Sequence, residues 1–146
     1  MAEHMATGRP FRIVVVSHGE LAAAMLDSAA MICGEIEDAA AVCLQPEDSP
    51  ETYHERLLAA IGSDGKPVLI LADLQGGTPY NVSSVVCRHA LETGPELALV
   101  CGVNLGMLLE VVTSLDSIDS EAIASLVAAS QACVVDASRR AERAGA

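Results

Sequence analysis

The sequence of 146 residues has few aromatic side chains and little positive charge, and these shortages exclude several classes of protein. Only Phe11, Tyr53 and Tyr80 are aromatic, so the core must be built from Ala, Val, Leu, Ile and Met. Eight Lys and Arg residues against twenty Asp and Glu residues give a formal net charge of −12 at pH 7. A surface of this sign repels the phosphates of nucleic acids and of anionic lipids, which argues against binding to either.

Motifs typical of nucleotide-binding and hydrolytic proteins are also missing. The sequence has no G-x-x-x-x-G-K-[ST], and its single lysine, Lys66, precedes a proline, which excludes a P-loop kinase or NTPase. It has neither the G-x-G-x-x-G of dinucleotide-binding proteins nor the G-x-S-x-G of serine hydrolases. A receiver domain needs paired acidic residues after its first strand, where this chain has Ser17 and His18. The apolar run 13–16 is too short for a signal peptide or a membrane span.

The cysteines indicate a reducing compartment rather than a disulfide framework. Their number is odd, no pair has C-x-x-C spacing, and most of them lie among aliphatic residues, where a thiol behaves as a small apolar group. We therefore expect a cytoplasmic protein with neither a structural zinc site nor any other metal or cofactor. The five cysteines are Cys33, Cys43, Cys87, Cys101 and Cys133.

Short β-branched runs alternate with longer segments of helical periodicity, which predicts repeated β-α units. The strands are almost entirely apolar, and such strands are typical of a parallel sheet covered on both faces. We therefore predict an α/β fold with an open, doubly wound, mainly parallel sheet. The predicted strands span 13–17, 40–44, 68–73 and 97–101, with a short fifth strand at 132–135, and the predicted helices span 21–33, 50–61, 79–92, 105–115 and 120–130.

The chain has room for one domain of ordinary size, since 51% of its residues are apolar and no internal repeat is present. We expect residues 1–10 to form a flexible leader and residues 137–146 to form a frayed tail. The domain itself is then expected to span residues 11–136.

Three loops are the predicted functional region, because ligands of doubly wound sheets bind beyond the carboxyl ends of the strands. These loops span residues 17–20, 73–81 and 101–106. In the first loop, His18 ends the strand and is followed by Gly19 and by the start of a helix. A single histidine at a strand end is more often structural than reactive. The free N–H groups of a helix start, however, favour an anion beside this imidazole.

The second loop contains a carboxylate and two adjacent glycines. Asp73 ends a very apolar strand, where an unpaired carboxylate is costly, so it needs a partner. If the first and third strands are neighbours, that partner is His18. Gly76 and Gly77 allow the backbone to approach a ligand, and Thr78 offers a hydroxyl group as the predicted N-cap of the next helix. The same four-residue pattern of Gly-Gly-Thr-Pro is also a good turn without any ligand.

Together these residues predict a phosphoryl carrier. Asp73 would accept the Nδ1–H of His18, which leaves the Nε2 lone pair free to form a phosphohistidine. The main-chain N–H groups of Gly19, Gly76 and Gly77 and the hydroxyl of Thr78 would hold the phosphoryl oxygens. An alternative is a small-anion-binding regulatory module that uses the glycines without a nucleophilic histidine.

Three segments of the chain resemble the enzyme IIA component of the mannose family of bacterial phosphoenolpyruvate-dependent sugar phosphotransferase systems. They are Val-Ser-His-Gly at 16–19, Asp-Leu-Gln-Gly-Gly-Thr-Pro-Tyr-Asn at 73–81 and Gly-Val-Asn-Leu-Gly-Met-Leu at 102–108. The resemblance covers roughly residues 12–136, and the second segment is its most specific part. The phosphoryl-donor subunit of dihydroxyacetone kinases has a similar fold and a strand-end histidine, and it stands as another alternative.

The resemblance implies a phosphotransferase role for the chain. His18 would take a phosphoryl group from phospho-HPr and pass it to a histidine of enzyme IIB, for sugar uptake through the membrane permease IIC/IID. The protein would be a cytoplasmic component that associates peripherally with that permease. Asp73 matches the carboxylate that orients the histidine, and Thr78 falls where the family has Ser or Thr.

The resemblance also implies a homodimer in which the C-terminal strand, here 132–135, is exchanged between subunits. One departure is Gly106, which stands where the family commonly has proline. His54 and His89 match no motif and are expected on the surface, and His4 belongs to the leader.

Overall fold

A computed structural model describes residues 8–139, in which four strands alternate with five helices. No helix in this range is long and apolar enough to cross a membrane. The leader predicted at 1–10 and the tail predicted at 137–146 fall largely outside the described residues. The elements are β1 (Arg12–His18), α1 (Leu21–Cys33), β2 (Ala39–Leu44), α2 (Pro50–Ile61), β3 (Val68–Ala72), α3 (Gly77–Thr93), β4 (Leu97–Cys101), α4 (Leu105–Ser114) and α5 (Ser120–Gln131).

The four strands form one parallel sheet in the order β2-β1-β3-β4. Strand β1 lies between β2 and β3, and its Val15 is in register with Ala41 on one side and Leu71 on the other. Strand order reverses at β1, because β2 extends the sheet in one direction while β3 and β4 extend it in the other. The doubly wound parallel sheet predicted from the sequence is confirmed.

Alternate residues of the strands supply two separate apolar cores, one on each face of the sheet. On one face Val15 and Leu71 belong to a core shared with α1, α4 and α5. On the other face Val16 and Ile70 belong to a core shared with α2 and α3. The phenolic group of Tyr53 in this second core is satisfied, because its hydroxyl donates to the carbonyl of Val42 at 2.6 Å. Helices therefore cover both faces, as apolar parallel strands require.

Two expectations for the ends of elements differ from the structure. The prediction that Thr78 caps α3 is wrong: Gly76 is the N-cap, and the helix begins at Gly77. Both glycines have positive φ angles, +86° and +80°, and glycine adopts this backbone without steric cost, so the chain turns into the helix before it reaches Thr78. In the single chain, residues 132–133 form a turn and 134–136 have no regular secondary structure. The exchange of this segment between subunits therefore stays a prediction.

A group of charged side chains closes the amino-terminal edge of the sheet. The Arg12 guanidinium donates to Asp38 at 2.7 Å, to Asp64 at 2.9 Å and to the carbonyl of Ile61 at 2.7 Å. Lys66 forms a second ion pair with Asp38. The hydrogen bond from Arg12 lowers the pKa of Asp64 to about 2. Arg12 thus links the start of β1 to the end of α2 and to the turn that precedes β3.

Candidate active site

His18 and Asp73 lie side by side at the carboxyl edge of the sheet. His18 is the last residue of β1, and Asp73 directly follows β3, the neighbouring strand. The Asp73 backbone amide donates to the carbonyl of Val16 at 3.1 Å, which continues the ladder between the two strands. Asp73 Oδ2 accepts from the backbone N–H of His18 at 2.9 Å and lies 2.8 Å from His18 Nδ1. The sequence-based expectation that these two side chains meet is confirmed.

The surroundings of Asp73 decide which imidazole nitrogen carries the proton. Burial raises the pKa of Asp73, but the hydrogen bonds from the His18 amide, the His18 imidazole and the Leu74 amide outweigh burial and lower it below its ordinary value. The carboxylate therefore stays ionised and acts only as an acceptor. Since Nδ1 must then be the donor, Nε2 of a neutral His18 carries the free lone pair.

Exposure differs sharply between the two side chains. The Asp73 side chain is 7% exposed, whereas the His18 side chain is 48% exposed. A buried carboxylate holds an imidazole whose other edge remains open to a reacting group. This arrangement suits a histidine that receives and releases a group from outside the protein.

Ser17, for which no role was predicted, fixes the loop that carries His18. Its side chain is fully buried, and Oγ accepts the backbone N–H of Ala22 at 2.8 Å. The N-cap residue of helix α1, Glu20, makes no capping hydrogen bond with its side chain. Ser17, which lies in the preceding strand β1, instead accepts one of the N–H groups in the first turn of the helix. The amide of Gly19 donates to the carbonyl of Leu44 at 2.7 Å, so this N–H is not free to hold a phosphoryl oxygen, contrary to the prediction. The sequence does contain a signal for this role of Ser17: a hydroxyl group at the end of an apolar strand needs a hydrogen-bond partner, as the Asp73 carboxylate does.

The glycine loop, residues 74–77, comes close to the reactive edge of the imidazole. A Cβ atom placed on Gly77 would lie 3.0 Å from His18 Cε1 and 3.1 Å from Nε2. Added Cβ atoms at Gly19 and Gly76 would meet no atom within 4 Å. Because α3 begins at Gly77, its first turn, whose N–H groups have no partner within the helix, starts next to the His18 ring. The start of a helix with free N–H donors favours an anion there.

Thr78 and the third loop lie at the same edge of the sheet. Thr78 is half-buried in the first turn of α3, one residue after Gly77. In the third loop, Gly102 and Val103 both donate their amides to the carbonyl of Ala72, at 2.9 and 3.0 Å. Asn104 caps α4 by accepting the N–H of Met107 at 2.8 Å. These bonds hold the third loop against the end of β3, next to Asp73.

The described histidines outside the motifs lie on helices rather than at the end of a strand. His54 is half-buried on α2 and His89 is exposed on α3, and both line an apolar groove between these helices. Within residues 8–139, no group of three or more His, Cys, Asp and Glu side chains is placed to hold a metal ion. His4 lies outside the described residues.

A family model described as "PTS system fructose IIA component", EIIA-man, matches residues 12–129. This range includes His18, Asp73 and the glycine loop. The chain is 30% identical over 127 residues to the sorbose-specific EIIA component of the phosphotransferase system (PTS) of Klebsiella pneumoniae, a match covering 84% of this chain and 89% of that protein. It is 33% identical over 108 residues to the mannose-specific EIIAB component of Escherichia coli K12, covering 71% of this chain but only 32% of that longer protein.

Solved structures of similar proteins share the fold. A phosphotransferase system EIIA component from Streptococcus agalactiae superposes with a TM-score of 0.80 at 29% identity, over 88% of this chain and 98% of that one. The mannose/sorbose-specific IIA subunit from Enterococcus faecalis gives a TM-score of 0.73 at 36% identity, over 86% and 93% of the two chains. Sequence and fold comparisons therefore agree.

Proposed function

The chain belongs to the EIIA-man family of phosphotransferase system IIA components, and from this premise we propose that it carries a phosphoryl group on His18. Membership in the family implies phosphoryl transfer in sugar uptake. One observation carries the assignment to His18: its Nδ1 lies 2.8 Å from the Asp73 carboxylate, while the exposed ring leaves Nε2 open beside the start of α3.

In the proposed reaction, phospho-HPr, which carries its phosphoryl group on a histidine, is the donor. The Nε2 lone pair of His18 attacks phosphorus, a new N–P bond forms, and the N–P bond to the donor histidine breaks. The electron pair of the broken bond returns to the donor nitrogen. His18 keeps its proton on Nδ1 and gains positive charge, which the Asp73 carboxylate stabilises at 2.8 Å.

The phosphoryl oxygens need donors in the same place, because positioning and charge stabilisation carry most of the catalysis of phosphoryl transfer. We assign this role to the backbone N–H groups of Gly76 and Gly77 and to the hydroxyl of Thr78, because the N–H of Gly19 already donates to the carbonyl of Leu44. The position of Gly77 beside Nε2 and the free N–H groups at the start of α3 support this assignment.

The second half of the proposed cycle is transfer from His18 to a histidine of enzyme IIB, which serves the membrane permease IIC/IID. In this proposal the chain is cytoplasmic and associates peripherally with that complex. We further propose a homodimer with exchange of residues 132–135. Val134 and Val135 are 79% and 51% exposed in the single chain, and a second copy would cover this apolar surface.

The test is phosphorylation of the purified chain with labelled phosphoenolpyruvate, enzyme I and HPr. The label should be acid-labile and base-stable, as expected for a phosphohistidine, and His18→Ala should abolish it while circular dichroism shows an intact fold. His54→Ala and His89→Ala serve as matched controls and should label fully. Labelling that survives His18→Ala would reject the assignment. A folded wild-type chain that takes no label would instead favour the anion-binding module.

A further inference from the structure

We propose that Gly77 is a positioning residue that keeps the His18 imidazole in register with Asp73. This inference rests on the proposed function of His18 as the phosphoryl acceptor. It assigns Gly77 a role beyond supplying a backbone N–H to the phosphoryl oxygens. The observation is the lack of room for a side chain at this residue, since an added Cβ would lie 3.0 Å from Cε1 and 3.1 Å from Nε2 of His18.

Gly77 differs in this respect from the other glycines near His18. Gly19 and Gly76 also have positive φ angles, +56° and +86°, but a Cβ at either would enter open space. Backbone conformation therefore explains glycine at all three positions, whereas contact with the imidazole explains it at Gly77 alone.

A side chain at residue 77 would displace the imidazole in a predictable direction, because Asp73 holds the ring on its Nδ1 side and the rest of the ring is free to move. Asp73 is buried and accepts three N–H groups, from the His18 amide, the His18 ring and the Leu74 amide. The ring itself is 48% exposed. A methyl group at Gly77 therefore moves the ring rather than the carboxylate. The Nδ1–Asp73 hydrogen bond then lengthens, and the Nδ1–H tautomer that leaves Nε2 nucleophilic is no longer enforced.

Three alanine variants separate this contact from backbone strain. Gly77→Ala combines the strain of a positive φ with the imidazole contact. Gly65→Ala has the same φ of +80°, but its Cβ enters open space in the turn before β3, at the opposite edge of the sheet. Gly76→Ala changes the neighbouring residue of the loop without touching the ring. Thermal unfolding of Gly65→Ala and Gly76→Ala measures the cost of the backbone alone, and any further loss of stability in Gly77→Ala measures the contact with the imidazole.

The first measurement is the ring-nitrogen signals of His18 in 15N NMR at alkaline pH, which distinguish protonated from unprotonated nitrogens. We expect protonated Nδ1 in the wild type, Gly65→Ala and Gly76→Ala, and a shift towards protonated Nε2 in Gly77→Ala. The second measurement is the rate of phosphoryl transfer from phospho-HPr. Gly77→Ala should slow transfer on the order of 10²-fold, as expected for a displaced reacting group, while Gly65→Ala keeps the wild-type rate.

Ring signals and transfer in Gly77→Ala that match those of Gly65→Ala would overturn the inference. Slow transfer with wild-type ring signals would also overturn it, by placing the effect on the phosphoryl group rather than on the imidazole. Altered ring signals with wild-type transfer would overturn it as well.

If the wild-type chain takes no phosphoryl group, the proposed function fails, and the ring signals alone decide whether Gly77 positions His18. Should Gly77→Ala not fold, a nuclear Overhauser effect between Gly77 Hα and His18 Hε1 is expected in the wild type, and its absence rejects the contact.

Discussion

A single oxygen of Asp73, Oδ2, serves both the backbone amide of His18 at 2.9 Å and its Nδ1 at 2.8 Å. The main-chain bond fixes the position of the carboxylate relative to the end of β1, and the side-chain bond fixes the ring relative to the carboxylate. The position of the imidazole is therefore fixed relative to the sheet.

Asp73→Asn should slow phosphoryl transfer on the order of 10²-fold without unfolding the chain. An amide oxygen can still accept the two N–H groups, but it carries no negative charge to stabilise the phosphorylated ring. Rapid-quench measurement of label transfer from phospho-HPr tests this, with Asp27→Asn on the exposed surface of α1 as the matched control. Transfer at the wild-type rate in Asp73→Asn would remove this carboxylate from the mechanism.

Ser17→Ala should destabilise the chain by about 1 kcal/mol, the usual cost of losing a helix cap. The Ala22 amide, which donates to Ser17 Oγ at 2.8 Å, is then left without its acceptor at the start of α1. Urea unfolding measures the loss, and Ser28→Ala on the exposed side of the same helix is the control. Because this cap also holds the loop with His18, phosphoryl transfer should fall together with stability. Equal stability of the two variants would contradict the capping role.

Ser83→Ala should leave stability unchanged or raise it by up to about 1 kcal/mol. Ser83 is fully buried in α3, and its Oγ has no hydrogen-bond partner among the described residues. Removing a buried hydroxyl that makes no hydrogen bond relieves a desolvation cost, and alanine is the better helix former. Urea unfolding beside Ser84→Ala, a less buried neighbour, provides the comparison. A clear loss of stability would mean that the hydroxyl has a bound partner in solution.

Asp64→Asn should reduce the acid sensitivity of folding. Arg12 lowers the pKa of Asp64 to about 2 in the folded chain, against about 3.9 for an unperturbed aspartate. The folded state therefore binds this proton less readily, so the stabilising contribution is present above about pH 4 and is lost as the pH falls towards 2. Urea midpoints of both chains across this range test the idea. The same slope in both would show that the Arg12–Asp64 pair does not contribute.

Gly106→Ala and Cys133→Ala should be non-additive. A Cβ on Gly106 would lie 2.8 Å from Cys133 Sγ, so the first substitution forces the thiol aside. Removing the thiol opens that space, and the double variant should be more stable than the sum of the two single effects by about 1 kcal/mol. A double-mutant cycle from denaturant unfolding measures this coupling. Strict additivity would mean that Cys133 does not pack on Gly106 of its own chain in solution, which is the result expected if exchange of residues 132–135 moves Cys133 away from α4.

The sequence predicted the sheet and the His18–Asp73 pair because both follow from strong, local signals. Apolar β-branched runs such as 68–72 admit few alternatives to a buried strand, and parallel neighbours bring their carboxyl ends together. A carboxylate at the end of such a strand must find a partner, which singled out Asp73.

Finer features of the site depend on interatomic distances, which the spacing of residue types along the sequence does not determine. Thr78 was predicted as the cap of α3 from its residue type, whereas the positive φ angles of Gly76 and Gly77 start the helix earlier. The contact of Gly77 with the imidazole depends on how α3 packs against β1, to within a fraction of an ångström. Such contacts arise from tertiary packing and leave no periodic trace in the sequence.

The two ends of strand β1 carry different groups: the ion pairs of Arg12 at its start and the His18 imidazole at its end. Arg12 and its carboxylate partners occupy its first residue, and His18 occupies its last, about 20 Å away for seven extended residues. Changes of charge or covalent attachment at the Arg12 end are therefore expected to affect the stability of the fold without disturbing the His18 imidazole. Engineers who immobilise this protein or raise its heat tolerance can therefore attach it through the Arg12 end and leave His18 unobstructed.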